Sequence, residues 1–209
     1  MRLKPAYLSL AMLVACAEGA EDGSQDQDTT PSAQEEELTY SDDAMLIDFG
    51  ADGEESWYAV NDTVMGGVSD GDVTFEDNSM IFEGAVSTDN NGGFASVRSP
   101  QDETDLSMYT RVLIRMKSEG QPFSMVIADS PLWYADQFKY DIEAPNEDWN
   151  TIEILFEDFE EYTIMTGYPE PTGAVMTSED AEEIIHIELM SKQFEDGDFR
   201  IEVDYIAFD

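Results

Sequence analysis

Cysteine, histidine and positive charge are all scarce in this chain. Cys16 is the one cysteine and His186 the one histidine, and 9 lysines and arginines face 48 aspartates and glutamates. A single cysteine excludes an intramolecular disulfide and a thiolate metal site. One histidine without a thiol in the mature domain leaves zinc nothing but carboxylates. Acyl-transfer chemistry needs a nucleophile with an oriented base beside it, and neither a G-x-S-x-G elbow nor a second histidine is there to supply one. His186 reads instead as a polar residue midway along a strand, exposed or half-buried, on the face opposite Ile185, Ile187 and Leu189. A P-loop and a G-x-G-x-x-G turn are also missing. No enzyme class is expected. The formal net charge of −39 excludes nucleic acid and anionic lipid surfaces as electrostatic partners. Self-repulsion of this size is relieved by salt screening, so an origin in a saline habitat and a melting temperature that rises with salt are expected.

Long apolar runs are missing too. The longest at the N-terminus, residues 6–15, follows Arg2 and Lys4 and falls short of the roughly 20 residues needed to span a bilayer. It reads as a signal peptide over residues 1–15. It ends in Leu13-Val14-Ala15-Cys16, which resembles the bacterial lipobox, so Cys16 is the expected site of lipidation. The other reading is a plain secretory signal with an incidental cysteine. Ala17 after the cysteine points, by resemblance to known sorting preferences, to the outer membrane. The expected location is therefore the cell envelope, with membrane contact only through the lipid at Cys16. Residues 16–44 hold ten acidic residues and no basic one. Such a composition cannot bury enough apolar surface to offset its ordering entropy, and a disordered acidic tether is expected.

From residue 45 to 209 the pattern changes to period two. Residues 79–83, 111–117, 125–128, 138–142, 151–156, 185–189 and 199–206 are short, β-branched or aromatic, and bounded by Gly, Pro, Asn or Asp. A further strand is expected at 45–49, pairing centrally or closing the sheet with the terminal strand. One short helix is expected at 178–184, opened by Ser178. An all-β antiparallel sandwich or jelly roll in one domain follows.

The residues with the most chemistry lie in 57–71, W-Y-A-V-N-D-T-V-M-G-G-V-S-D-G. Gly66 and Gly67 permit positive φ or a close backbone approach, and Asn61 and Asp62 can bond neighbouring backbone. Carboxylate-rich loops at 48–55, 70–72 and 196–198 would suit a structural calcium ion, but none has EF-hand spacing, and no cofactor is expected. Trp133-Tyr134 after Pro131 either anchors its loop into the core or faces solvent and stacks on a sugar ring. Trp149 opens a strand, where core or rim packing is the default.

Together these residues resemble the complex I intermediate-associated protein 30 family. The likeness starts at Trp57 and Val60-Asn61-Asp62 and runs through Val64-Met65-Gly66-Gly67-Val68-Ser69. It resumes at Asn90-Asn91-Gly92-Gly93-Phe94-Ala95-Ser96-Val97-Arg98, and again at Ser191-Lys192-Gln193 and Phe199-Arg200-Ile201-Glu202. The resemblance implies a galactose-binding-like β-sandwich. It also implies a non-catalytic role, since the family's eukaryotic members are assembly factors for mitochondrial respiratory complex I. An exported, lipid-anchored chain does not meet those assembly intermediates on the cytoplasmic side. The expected function is thus a binding or assembly-factor-like module on an acidic tether, with an unknown protein as partner. The alternative is a carbohydrate-binding surface lipoprotein, and hydrolysis is a distant third. Asn61, Asp62, Asn90, Asn91, Arg98 and Lys192 are the candidate ligand contacts, because amides and guanidinium donors suit neutral polar ligands. The competing role for the two cations is internal, neutralising buried carboxylates such as Asp62 or Asp204.

Overall fold

A computed structural model describes residues 38–50, 56–142, 147–164, 169–191 and 194–209. One compact unit extends from Glu37 to Asp209. Its strands, in chain order, are β1 (Met45–Asp48), β2 (Tyr58–Asn61), β3 (Asp70–Glu76), β4 (Ser79–Val86), β5 (Ala95–Arg98), β6 (Arg111–Gly120) and β7 (Phe123–Ala128). They continue as β8 (Gln137–Ile142), β9 (Asn150–Leu155), β10 (Glu160–Thr163), β11 (Glu170–Val175), β12 (His186–Ser191) and β13 (Gly197–Phe208). All ladders are antiparallel. One sheet runs β3-β4-β13-β6-β9, with β1 also on β13, and the other runs β11-β10-β8-β7-β12-β5-β2. Every strand expected from period-two patterning is present, and β1 pairs with the end of β13 as expected, Met45 opposite Phe208.

Alternation drives the inward faces together. Phe199, Ile201 and Val203 of β13 point into the core, and a register shift between Val203 and Tyr205 moves the inward phase to Ile206 and Phe208. Phe82 on β4, Phe199 on β13 and Phe123 on β7 join the two sheets, with ring centroids 4.9 Å apart for Phe82–Phe199 and 5.7 Å for Phe123–Phe199. Trp57 and Phe49 meet edge to face at 5.4 Å.

The helix expected at 178–184 is a run of turns instead. Its backbone is claimed by the neighbouring segment: the Leu106 amide donates to Ala181 O at 2.8 Å, and Thr104 and Ile184 exchange amide–carbonyl bonds at 2.8 and 2.9 Å. Carbonyls committed sideways cannot close i→i+4 turns. Three one-turn 3₁₀ helices, Asp62–Met65, Asp89–Asn91 and Phe156–Asp158, are the helical structure among the described residues. None of them is long and apolar enough to cross a membrane.

The end of the acidic stretch is docked on the domain. Ser41 donates through its amide at 3.2 Å and its hydroxyl to the Asp209 carboxylate, and Tyr40 packs edge-on against Tyr205 at 5.1 Å.

Candidate functional site

Residues 57–71 cross from one sheet to the other, since β2 belongs to the seven-stranded sheet and β3 to the six-stranded one. The crossing needs a sharp reversal. Gly66 supplies it at φ 94°, closing the 3₁₀ turn with its amide on Thr63 O. The reversal is held by one carboxylate. Asp62, fully buried, accepts the Ser69 amide at 3.0 Å, the Ser69 hydroxyl, the Gly93 amide at 2.6 Å and the Phe94 amide at 3.2 Å. A β-carbon on Gly67 or Gly92 would overlap that carboxylate, which is why both positions are glycine. The two signature segments, 61–69 and 90–98, are therefore the two halves of one clamp. Burial by itself raises the Asp62 pKa. The Ser69 hydroxyl and the amides of Gly93, Phe94 and Ser69 outweigh it and hold the carboxyl below its ordinary 3.8.

The other candidate residues scatter around the clamp. Asn61 donates to Gly71 O at 2.9 Å from β2 and tethers the start of β3. Asn90 and Asn91 are exposed in the left-handed region, φ 58° and 61°, which asparagine tolerates well. Arg98 lies opposite Glu188 in the β5–β12 ladder and its Nε sits 3.1 Å from the Glu188 carboxylate, itself 1% exposed. The cation thus neutralises a buried carboxylate, but that carboxylate is Glu188; Asp204 pairs with Arg115, and Asp62 is satisfied by hydroxyl and amide donors. Lys192 lies outside the described residues, as do Cys16 and part of the 48–55 loop. Trp57 is buried and Met65 is exposed.

His186 differs from expectation. It does face away from Ile187, yet it is 6% exposed, enclosed beside Glu188 at 3.9 Å. Its pKa is lowered to about 4, by burial first and the nearby Arg98 charge second, so it is neutral at pH 7. A period-two pattern reports the face a residue takes; it does not report whether neighbouring strands cover that face.

All six basic residues that the structure describes are ion-paired. Arg98 has Glu188, Lys139 has Asp141, and the rest line the outer face of the six-stranded sheet: Arg111 with Glu153 and Asp209, Arg115 with Asp204, Lys117 with Glu202, and Arg200 with Glu83 and Glu202. Trp149 lies on that face under Arg115 at 4.9 Å and Lys117 at 5.3 Å, at the rim rather than in the core. Among the described residues, no three His, Cys, Asp or Glu converge as a metal site. Asp48 accepts its own loop's Gly50 amide at 2.8 Å, and Asp196 accepts the Thr88 amide and hydroxyl at 2.6 and 2.9 Å.

Two groups stand out among the exposed apolar residues. Val64, Met65 and Val68 ride on the clamped turn. In the β7–β8 connection, Trp133 is 61% and Tyr134 53% exposed, their rings perpendicular with centroids 5.6 Å apart. Of the two outcomes the sequence left open for these rings, they take the solvent-facing one; the loop lies outside the sheets.

Two stacked antiparallel sheets with an inter-sheet crossing held in this way define a galactose-binding-like β-sandwich. The chain belongs to the complex I intermediate-associated protein 30 (CIA30) family, whose sequence profile matches residues 47–203. No curated protein is a significant sequence match. Similar solved structures include a family 11 carbohydrate-binding module from Clostridium thermocellum in complex with a β-1,3-1,4-mixed-linked tetrasaccharide. It is 19% identical with a TM-score of 0.56, covering 79% of this chain and 95% of that one. The family 11 module of the cellulosomal cellulase Lic26A-Cel5E of the same organism is also similar, at 19% identity and TM-score 0.55 over 79% of this chain and 94% of the other. At these identities the likeness is one of fold.

Proposed function

We propose that this protein is a non-catalytic binding module and that the β7–β8 loop is where it recognises neutral carbohydrate. The exposed Trp133–Tyr134 ring pair carries this reading. Two aromatic faces held at right angles offer a stacking surface to the C–H face of a sugar, at small entropic cost because each ring has two side-chain torsions. The surroundings suit hydroxyl donors. Asp129, at the start of the loop, has its pKa raised by partial burial and then by negative charge on Asp180, Asp136 and Glu161. Carboxylates accept sugar hydroxyls and repel phosphates, so the ligand is a neutral glycan. The fold of carbohydrate-binding modules supports this only as architecture.

Trp133→Ala is expected to weaken binding to mixed-linked β-glucan about tenfold or more in affinity electrophoresis, with an unchanged melting temperature because the ring is exposed. Unchanged retention across a panel of neutral polysaccharides would sink the carbohydrate reading.

A second reading has its own observation. Val64, Met65 and Val68 form an apolar strip on a rigid turn, as a protein partner would require of an assembly factor. A stoichiometric membrane protein captured from detergent-solubilised envelopes, and lost with Met65→Asp, favours that reading. Display at the envelope through a lipid on Cys16 belongs to the same proposal; an unmodified mature N-terminus other than Cys16 by mass spectrometry ends it.

A further inference from the structure

A cavity of about 220 Å³ lies at one end of the sandwich, apart from the Asp62 clamp, and none of residues 129–136 lines it. Both sheets wall it, β1 through Ile47 and β12 through Ile187, and Trp57, Leu106 and Ile184 complete an apolar interior. The two hydroxyls of the lining are committed. Ser99 accepts the Ile187 amide at 3.0 Å and donates to Pro100 O at 3.1 Å, and the Thr104 hydroxyl donates to Asp102 O at 3.3 Å. The His186 ring lies on the face of β12 opposite Ile187, beside Glu188, and takes no part. The interior thus offers a guest apolar contact alone.

The mouth is different in kind. Asp102 is an exposed lining residue. Five more exposed carboxylates stand next to lining residues along the chain: Asp42 and Asp43 just before β1, Glu103 beside Asp102, and Glu182 and Glu183 just before Ile184. Residues 41–47, 99–106 and 182–187 contain no lysine or arginine. Arg98, next to Ser99, is committed to Glu188 at 3.1 Å. The negative field at this end acts on a neighbour. Asp129 follows Ala128, whose carbonyl accepts the Ile185 amide at 2.8 Å, and its pKa is raised by partial burial and then by Asp180, Asp136 and Glu161.

We infer that this cavity binds a small hydrophobic cation, a single-ring amine whose ring lies against Trp57, Leu106 and Ile187 and whose ammonium stays at the mouth among the carboxylates. Size sets the first limit. A dry apolar cavity of roughly 150 Å³ accommodates benzene, so this one holds a single ring with a short substituent. Polarity sets the second. A sugar would bring hydroxyls all round its ring to an interior without a free polar partner, where each unpaired one is costly. Charge sets the third. An ammonium on a short substituent keeps its water at the mouth and gains the field of the exposed carboxylates, whereas an anion in the same place meets that field with the wrong sign.

The test is an NMR titration of the full chain, methyl-labelled at isoleucine and leucine and ¹⁵N-labelled at tryptophan, with benzylamine, toluene and benzoate. At low salt benzylamine is expected to shift the Ile187 and Leu106 methyls and the Trp57 indole N–H saturably. It should bind about fivefold more tightly than toluene, the combined effect of several exposed charge contacts, and benzoate should bind more weakly than toluene. In about 1 M NaCl, where the screening length falls to roughly 3 Å, the preference is expected to shrink to within about twofold. Asp102→Asn with Glu103→Gln, both at exposed positions, is expected to keep toluene binding and lose most of the preference for the amine. Four results overturn the inference: toluene or benzoate matching benzylamine at low salt, a preference that survives molar salt, a Trp149 indole that moves in step with Trp57, or no saturable shift up to the solubility limit. The three-probe comparison on the native chain decides the matter whether or not that variant folds.

Discussion

Asp62→Ala is expected to destabilise the domain by about 4 kcal/mol, lowering the melting temperature by roughly 8–16 °C. The carboxylate serves four donors on two segments that are far apart in sequence, and three of these are backbone amides of Ser69, Gly93 and Phe94. Without it they lose an ionic acceptor inside the protein, where water replaces it poorly. Asp62→Glu is expected to rescue little, since Gly67 and Gly92 press on the carboxylate and leave no room for another methylene. The pH dependence has a definite sign. The folded carboxyl is held below its ordinary 3.8, so its contribution is complete above that pH and is lost as pH falls through the depressed folded value. Wild type and Asp62→Ala should therefore differ fully at pH 7 and converge in strong acid. Urea denaturation at pH 7 showing a loss below about 1 kcal/mol would refute the clamp.

Arg98→Ala is expected to cost about 3–5 kcal/mol at pH 7, because it strands Glu188 as a buried charge without a counter-ion. The deficit should shrink as pH falls, and His186 is the reason. In the wild type its folded pKa is about 4 against an ordinary 6.5, so the wild type loses stability as pH falls from 6.5 toward 4. Removing Arg98 removes one cause of that depression, so the variant loses less over the same window. A deficit that stays constant from pH 7 to pH 5 would contradict the assignment. Arg98→Met with Glu188→Leu is expected to recover most of the loss, as replacement of a whole buried pair often does. Recovery of the fold with glucan binding intact would also separate this ion pair from the recognition loop.

The strands were legible wherever alternation was strong, as at 111–117, 185–189 and 199–206, because a period of two with β-branched residues has few other structural outcomes. Less was visible of β2, β5, β10 and β11, which are short or carry Gly and Pro and depend on neighbours for pairing. At 178–184 local helical pattern and tertiary bonding conflicted, and the bonds to Thr104 and Leu106 prevailed. Asp62 stood out in the sequence only as part of a motif, with no sign of whether it met a ligand or the chain's own amides. Arg98 offered the same ambiguity, since the identity of a cation's counter-ion depends on which strands become neighbours. The burial of His186 had no sequence signal, since it depends on what covers that face of β12.

By itself, then, the amino-acid sequence determined the family and the all-β sandwich, since composition, period and motif spacing are properties of the chain alone. Only the tertiary structure decided that 61–69 and 90–98 form one clamp, that Glu188 is Arg98's partner, and that Trp133 and Tyr134 face solvent. Each of these depends on which segments are packed together, and residues 31 or 90 positions apart along the chain meet only when β2, β5 and β12 line up side by side in one sheet.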